Sequence, residues 1–476
     1  MIAAPKGPKK NEWWVRGLRD RIPIKWGRLR DIRVTLIIII YVVKREFEPD
    51  IPLPGLTLQI WCVDAFSSQI ITHRPQIRAC ISINRLEMAS QERITITCPT
   101  FMGTELENMR EVLKLGTLGG KGKYTQLCEK WLENFMPSGR AFVVSSGTSA
   151  LEMTAMLANI QPGDEIIVPS YTYVTTVNSF VLRGAVPVFV DIEDTTMNMD
   201  PDHIEAAVTS KTRAIIAVHY GGVACEMDRV MQIAKKYHLF VCEDAAMACT
   251  STYHSRMLGT IGDVGCISFQ EKKNFTAGGQ GGALLVNNPT LTHRAEVIYE
   301  HGTNRASFMR GEVEHYQWLD LGLNATMSEI QAAFLYAQLQ AADQINSLRL
   351  KLWHRYHIAL APLERKGYIM LPQVPANTTH NANVFWIRLT DANRRTELIQ
   401  YFSTLNMQVY SQFMPLHSSP YGQKQGRFSG VDRVTSLAAS QILLLPLHMS
   451  LGDSQQELVI WGLLEFFGEK REESVM

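Results

Sequence analysis

From Ile94 onward, short apolar runs alternate with segments whose apolar positions recur at helical spacing. The runs at 141–145, 165–169, 186–192, 213–219, 239–243 and 264–269 are rich in Val, Ile and Ala, which predicts strands. Between them, 148–158, 175–182, 202–208 and 228–237 carry the helical period. Strands apolar on both sides and joined by helices imply an α/β fold. Its sheet is mostly parallel, covered on both faces and wound by right-handed crossovers. Ligands bind such sheets beyond the carboxyl ends of the strands. Ahead of the first strand, Thr104-Glu-Leu-Glu107 has the form of a capping box and predicts a helix ending near Gly116.

After Met327 the helical period persists through 328–360, predicting a long helix that leads into a second unit. That unit holds a strand at 384–389 and helices at 394–405 and 455–467, an α+β pattern. The expected organisation is therefore a basic amino-terminal extension over 1–92, a large α/β domain over 93–345 and a smaller C-terminal domain over 346–476.

The first ninety residues break the pattern. Up to Arg45, lysine and arginine far outnumber Glu12, Asp20 and Asp31, with Trp13, Trp14 and Trp26 interleaved. Such a mixture suits an anionic membrane surface or nucleic acid. No period persists across it, so the expectation is an extension without a function of its own, with Met88 as an alternative start. The run Val34–Val43 is about half the ~18 apolar residues that a membrane helix needs. Its four successive isoleucines favour a buried strand, and no membrane span is expected.

Composition adds exclusions. A net charge of +1 over 476 residues gives no general reason to expect a nucleic-acid partner. The cysteines at 62, 80, 98, 128, 225, 242, 249 and 266 form no C-x-x-C pair, which argues against a metal site. Several lie in strand-like runs, as expected of small buried hydrophobes in a reducing, cytoplasmic compartment.

The chemistry concentrates between Val241 and Gly282. One strand ends in Glu243-Asp244, and the next is followed by Lys272-Lys273 and then the glycine-rich Thr276–Gly282. An acid closing one strand and a lysine just past its neighbour is what pyridoxal 5'-phosphate (PLP) requires. The lysine forms a Schiff base with the aldehyde, and the carboxylate keeps the pyridine nitrogen protonated. Either lysine could serve. Ser145-Ser-Gly-Thr-Ser149, between a strand and a helix start, offers N–H groups and hydroxyls to a phosphate. Tyr171 and Tyr173 could each present a ring face to the pyridine.

These residues, in this order, resemble the DegT/DnrJ/EryC1/StrS sugar aminotransferases, PLP enzymes of fold type I. Further motifs carry the resemblance: Gln161-Pro-Gly-Asp-Glu165, Pro169-Ser-Tyr-Thr172, His219-Tyr-Gly-Gly222, Gly302-Thr-Asn-Arg305 and Ser328-Glu-Ile-Gln-Ala-Ala333. Within the family, the branch that makes dTDP-4-amino-4,6-dideoxygalactose for enterobacterial common antigen is most similar. The resemblance covers about 94–467 and implies a large domain around a seven-stranded-type sheet. It assigns the Schiff base to Lys273 and the pyridine-pairing acid to Asp244. It gives phosphate contacts to Gly147, Thr148 and Ser268, and stacking to Tyr173. Asn324 is expected to reach the phosphate of the partner subunit, which implies a homodimer with shared active sites. The implied reaction is amination of a nucleotide-linked, dTDP-type 4-keto-6-deoxy sugar, with glutamate as donor, in polysaccharide biosynthesis.

Two departures stand out. Met247 replaces the glutamine of the family's E-D-A-A-Q, which hydrogen-bonds the cofactor's phenolic oxygen, and Gln270 replaces a histidine. These leave an alternative reading, a catalytically impaired homologue acting as a binding or assembly partner. A sugar dehydratase of the same fold carries histidine in place of the lysine, so Lys273 argues against it.

Overall fold

The computed structural model describes residues 93–99, 101–137 and 139–469. The basic extension, its tryptophans, the Val34–Val43 run and Met88 lie outside the described residues.

Seven strands build the main sheet: β1 (Arg140–Val144), β2 (Glu165–Pro169), β3 (Val186–Val190), β4 (Thr212–Val218), β5 (Phe240–Asp244), β6 (Val264–Ser268) and β7 (Gly282–Val286). Of the later strands, those named below are β8 (Ile369–Met370), β9 (Phe385–Leu389), β10 (Arg427–Phe428) and β11 (Ile442–Leu445). The order is β1-β7-β6-β5-β4-β2-β3-β10, so a two-residue strand from the C-terminal part makes an eighth member at one edge. Alternate residues of each strand enter separate cores. In β4, Ile215 and Ala217 join one apolar cluster while Ala214 and Ile216 join another. Burying both faces in this way makes the strands continuous apolar runs instead of alternating ones.

All neighbours in this sheet are parallel except β7, which is antiparallel to both β1 and β6. The sequence pattern did not predict β7. The cause of its direction lies in the connection. A parallel partner for β6 would need a crossover of a dozen or more residues, usually helical. The segment 269–281 has no helix, so the chain turns back at once, pairing Ser268 with Gly282. This reversal holds the Lys273 turn at the carboxyl end of β6, next to the end of β5, because Asp244 pairs with Cys266.

The helices named below are α1 (Glu105–Leu115), α2 (Lys123–Phe135), α3 (Gly147–Leu157), α4 (Val174–Val181), α5 (Glu329–Gln340), α6 (Ala342–Arg365), α7 (Arg394–Thr404) and α8 (Asp453–Phe466). α1 forms as expected and ends at Gly116 with φ 74°, but it has no capping box. Thr104 makes no side-chain cap bond. Instead the Glu105 carboxylate accepts from the N–H groups of Met102 (2.6 Å) and Gly103 (2.8 Å). Buried Gln338 of α5 donates to the same carboxylate at 2.7 Å and fixes it there. The long helix expected over 328–360 is two helices. Ala341, at φ −99° and ψ 14°, separates α5 from α6, and its N–H bonds to the carbonyls of Gln338 and Leu339.

α5 packs on α1 and α2 beside the main sheet, while α6 packs on α8. Around α6 lies a second core that includes Trp353, Tyr356 and Leu360, with Phe385 and Ile387 of β9 and Leu443 and Leu445 of β11. β9 sits between β8 and β11 in a small antiparallel sheet. Ile94, near the start of the described residues, belongs to this second core and bridges to Met407. No helix among the described residues is long and apolar enough to cross a membrane. Of the described cysteines, Cys128, Cys225, Cys242, Cys249 and Cys266 are free and buried.

Candidate active site

The two acids that end β5 have different surroundings, because successive residues of a strand point to opposite faces. Glu243 is fully buried. It accepts from the N–H groups of Gly259 (2.8 Å), Ile261 (2.6 Å) and Gly262 (2.7 Å), and lies 3.0 Å from His219 Nε2. His219 Nδ1 accepts from the Cys225 N–H at 3.1 Å, so the ring proton is on Nε2 and donates to Glu243. Every interaction of Glu243 is internal and structural. Asp244 instead lines a cavity of about 450 Å³. Its Oδ2 accepts from Thr176 Oγ1 of α4 at 2.7 Å and its Oδ1 from the Ala246 N–H at 3.1 Å. Thr172 Oγ1 sits 3.1 Å from Thr176 Oγ1 and supports that hydroxyl in turn. Sequence reasoning missed both threonines. The only available signal was that 172–176 starts a helix next to a strand end.

Lys273 enters the same cavity from the turn after β6. Its N–H donates to the Gln270 carbonyl at 2.9 Å, and the Lys272 N–H donates to Gln270 Oε1 at 2.8 Å. Gln270 is thus the side chain that shapes the lysine turn. Lys272 also lines the cavity but is exposed. Lys273 keeps partial access to the cavity, and protein encloses its amine. This burial pushes its pKa down to about 8, against the opposing charge of Asp244. The folded value lies below the ordinary 10.5, so between pH 8 and 10.5 the unfolded chain binds more protons at this site. In that window the group makes the cofactor-free protein more stable as pH rises. The same shift predicts that capture of an aldehyde by this amine rises with pH and is half-maximal near pH 8. Stopped-flow absorbance against pH measures it, and a midpoint at an ordinary lysine value would contradict the burial.

Across the cavity stands the start of α3. Ser146 is its cap and accepts from the Ser149 N–H at 3.0 Å, which leaves the N–H groups of Gly147 and Thr148 outside the helix's own bonds. A Cβ on Gly147 would lie 3.0 Å from the Cβ of Ser268, so only glycine lets the helix start approach that hydroxyl without crowding. Gly147, Thr148 and Ser268 all line the cavity. Tyr173 lines it too and is 58 % exposed, its ring 6.2 Å from that of Phe413. Tyr171 is fully buried, packed on Tyr220 and Phe413, and cannot offer a face to a ligand. Met247 forms part of the wall within an apolar cluster that contains Ile96, Tyr171 and Tyr220. Asn324 does not line this cavity. It is exposed, with Oδ1 3.4 Å from His301 Nε2.

An acid, an enclosed amine, a helix start with free N–H groups and an exposed ring converge here, and their residues fit PLP. Residues 100–463 match the DegT/DnrJ/EryC1/StrS aminotransferase family. The chain belongs to this family. Its members are PLP-dependent sugar aminotransferases of fold type I, and the main sheet described above is consistent with that fold. Among its relatives is the spore coat polysaccharide biosynthesis protein SpsC of Bacillus subtilis, 33% identical over 75% of this chain and 92% of that protein. The GDP-perosamine synthase of Escherichia coli O157:H7 is 31% identical over 79% of this chain and 99% of that enzyme. Of solved structures, the aminotransferase TlmJ from Streptoalloteichus hindustanus aligns with a TM-score of 0.72 at 28% identity, over 79% of this chain and 100% of that one. This sugar-aminotransferase family member therefore matches these three over nearly their whole length.

Proposed function

We propose that this chain transfers an amino group from glutamate to the C4 ketone of a nucleotide-linked 4-keto-6-deoxy sugar, with dTDP as the nucleotide. The observation that carries the reading is the enclosed amine of Lys273 in one cavity with the oriented carboxylate of Asp244. When bound, PLP supplies an electron sink for the carbon that loses its proton. Lys273 holds the cofactor covalently. Its free amine would take the proton from the donor's Cα and later give a proton to C4 of the sugar, and a pKa of about 8 suits both directions. Asp244, fixed by Thr176 and the Ala246 N–H, pairs with the pyridine nitrogen. Gly147, Thr148 and Ser268 receive the phosphate, and Tyr173 stacks on the ring.

The choice of glutamate is supported by a relative, the 3-oxo-glucose-6-phosphate:glutamate aminotransferase of Bacillus subtilis, 32% identical over 75% of this chain. The dTDP choice rests on the sequence motifs. The GDP-perosamine synthase relative makes GDP-sugars the competing class. Met247 cannot give the hydrogen bond of the usual glutamine. One such bond is worth about 0.5–1.5 kcal/mol, roughly two- to tenfold in rate, so turnover is slowed and not lost.

We also propose a homodimer in which Asn324 of the partner subunit completes the phosphate site. Asn324 is exposed and outside the cavity of its own chain. Trp318 and Leu321 beside it are more than half exposed, an apolar surface suited to a second copy. The division into a cofactor domain over 93–345 and a smaller domain over 346–476 is part of the same proposal, as is a cytoplasmic location. The two separate cores support the division near residue 345, with Ile94 in the second core and β10 in the main sheet as the crossings, and the free cysteines support the location.

Borohydride trapping tests the assignment. After reduction of the PLP-loaded protein, peptide mass spectrometry should find the phosphopyridoxyl group on Lys273. Labelling of Lys272 instead, or none, would overturn it.

A further inference from the structure

The residue after Lys273 is part of a buried hydrogen-bonded clamp. Asn274 Nδ2 donates to the Asn381 carbonyl at 2.7 Å, and its Oδ1 accepts from Asn383 Nδ2 at 2.9 Å. The same short loop also grips the other side of the site. Asn381 Nδ2 donates to the carbonyls of Met247 (3.1 Å) and Cys249 (2.8 Å), in the turn that follows Asp244. Asn381 fits there because residue 222 is glycine, at φ +85°. A Cβ on it would lie 2.2 Å from Asn381 Oδ1.

The loop is held in an unfavourable shape. Ala382, fully buried, has φ +50°, a left-handed conformation that alanine rarely adopts. Buried Arg349 of α6 secures it, with Nε donating to the Ala382 carbonyl at 3.1 Å and Nη2 to the Asn383 carbonyl at 2.7 Å. Burial lowers the Arg349 pKa to about 10, with no carboxylate acting against it. Among the described residues this buried cation has only carbonyl partners, an expensive way to hold a loop unless the loop's exact shape matters.

We propose that the 381–383 loop, locked by Arg349, is a positioning element that sets the Lys273 amine against Asp244. It does so by binding both segments that carry these groups, the Asn274 side and the Met247–Cys249 side. None of Arg349, Asn381 and Ala382 touches the reacting atoms. They act through Asn274 and the turn after Asp244. The proposal rests on the assignment of Lys273 and Asp244 as the reacting pair.

The test uses the full-length protein with Asn381→Ala and, separately, Arg349→Lys, which keeps the charge but loses the fork. Folding is checked by thermal melting, and either variant alone suffices if the other does not fold. In the folded variants, water gains access to Lys273. The midpoint of PLP capture should rise by about one pH unit from its value near 8. Turnover should fall about 10- to 100-fold, the range expected for small misplacements of reacting groups, with KM for glutamate little changed. Trapping in the variants should still mark Lys273. An unchanged midpoint and unchanged turnover in folded variants, with wild type trapped normally, overturn the clamp alone. A wild type that traps no PLP overturns the active-site assignment, and the clamp with it.

Discussion

Replacing Lys273 with alanine lowers turnover by roughly 10²–10⁴-fold, the span attributable to a positioned general acid–base, and removes the covalent attachment of the cofactor. The geometry makes this effect specific to one lysine. Lys272 lines the same cavity but is exposed, whereas the Lys273 amine is enclosed and its pKa is lowered to about 8. Near neutral pH a useful fraction of Lys273 is therefore the free base, which an ordinary lysine supplies only at much higher pH. Lys272→Ala should keep both the attachment and most of the turnover. Steady-state kinetics of the two variants side by side make the comparison. Equal losses in both, or a Lys273→Ala enzyme that still turns over normally, would show that the lysine roles are wrongly assigned.

Replacing Asp244 with asparagine has the second largest effect. Asparagine is nearly isosteric, so the strand end and the main-chain bonds survive. It carries no charge to hold a proton on the pyridine nitrogen. The expected loss in kcat is about 10²–10³-fold, the scale seen when one aimed electrostatic contact is removed. The substitution leaves Gly147, Thr148 and Ser268, the proposed phosphate contacts, unchanged, so cofactor binding should weaken far less. Thr176→Val would act through the same carboxylate by removing the 2.7 Å bond to Oδ2, and should cost less than Asp244→Asn. Spectra of the bound cofactor separate the two cases, since only Asp244→Asn should leave the pyridine unprotonated. If Asp244→Asn matched wild type in kcat, the acid would have no role in the chemistry.

Much of this site was legible in the sequence, for a physical reason. Strands buried on both faces are apolar throughout, so β2 could be read at 165–169 without error, and β5 and β6 within a residue or two. Asp244 and Lys273 stood out because each interrupts or follows such a run. What the sequence hid was whatever depends on partners far along the chain. β7 pairs backward because the connection before it holds no helix to cross the sheet, and nothing in its residues states direction. The Thr104 box failed because Thr104 itself takes helical backbone angles, φ −93° and ψ −6°, instead of the extended shape of a cap; the bond from Gln338, more than two hundred residues away, to Glu105 was equally hidden. The separate duties of Glu243 and Asp244 depend on which face of β5 meets the 259–262 turn. The clamp on Asn274 is assembled from α6 and the 381–383 loop, which no local pattern links to Lys273.

The central claim is transamination of a nucleotide-linked keto sugar by the Lys273–Asp244 pair. The most direct measurement is product identification by mass spectrometry and NMR. Purified protein with PLP and glutamate is offered dTDP-4-keto-6-deoxyglucose and, in a parallel reaction, the GDP-linked 4-keto-6-deoxymannose. The account predicts a 4-amino sugar from the dTDP substrate, with one 2-oxoglutarate formed for each amine. Amination of the GDP substrate alone would move the chain to the other nucleotide class. No amine from either, with PLP confirmed on Lys273, would contradict the account.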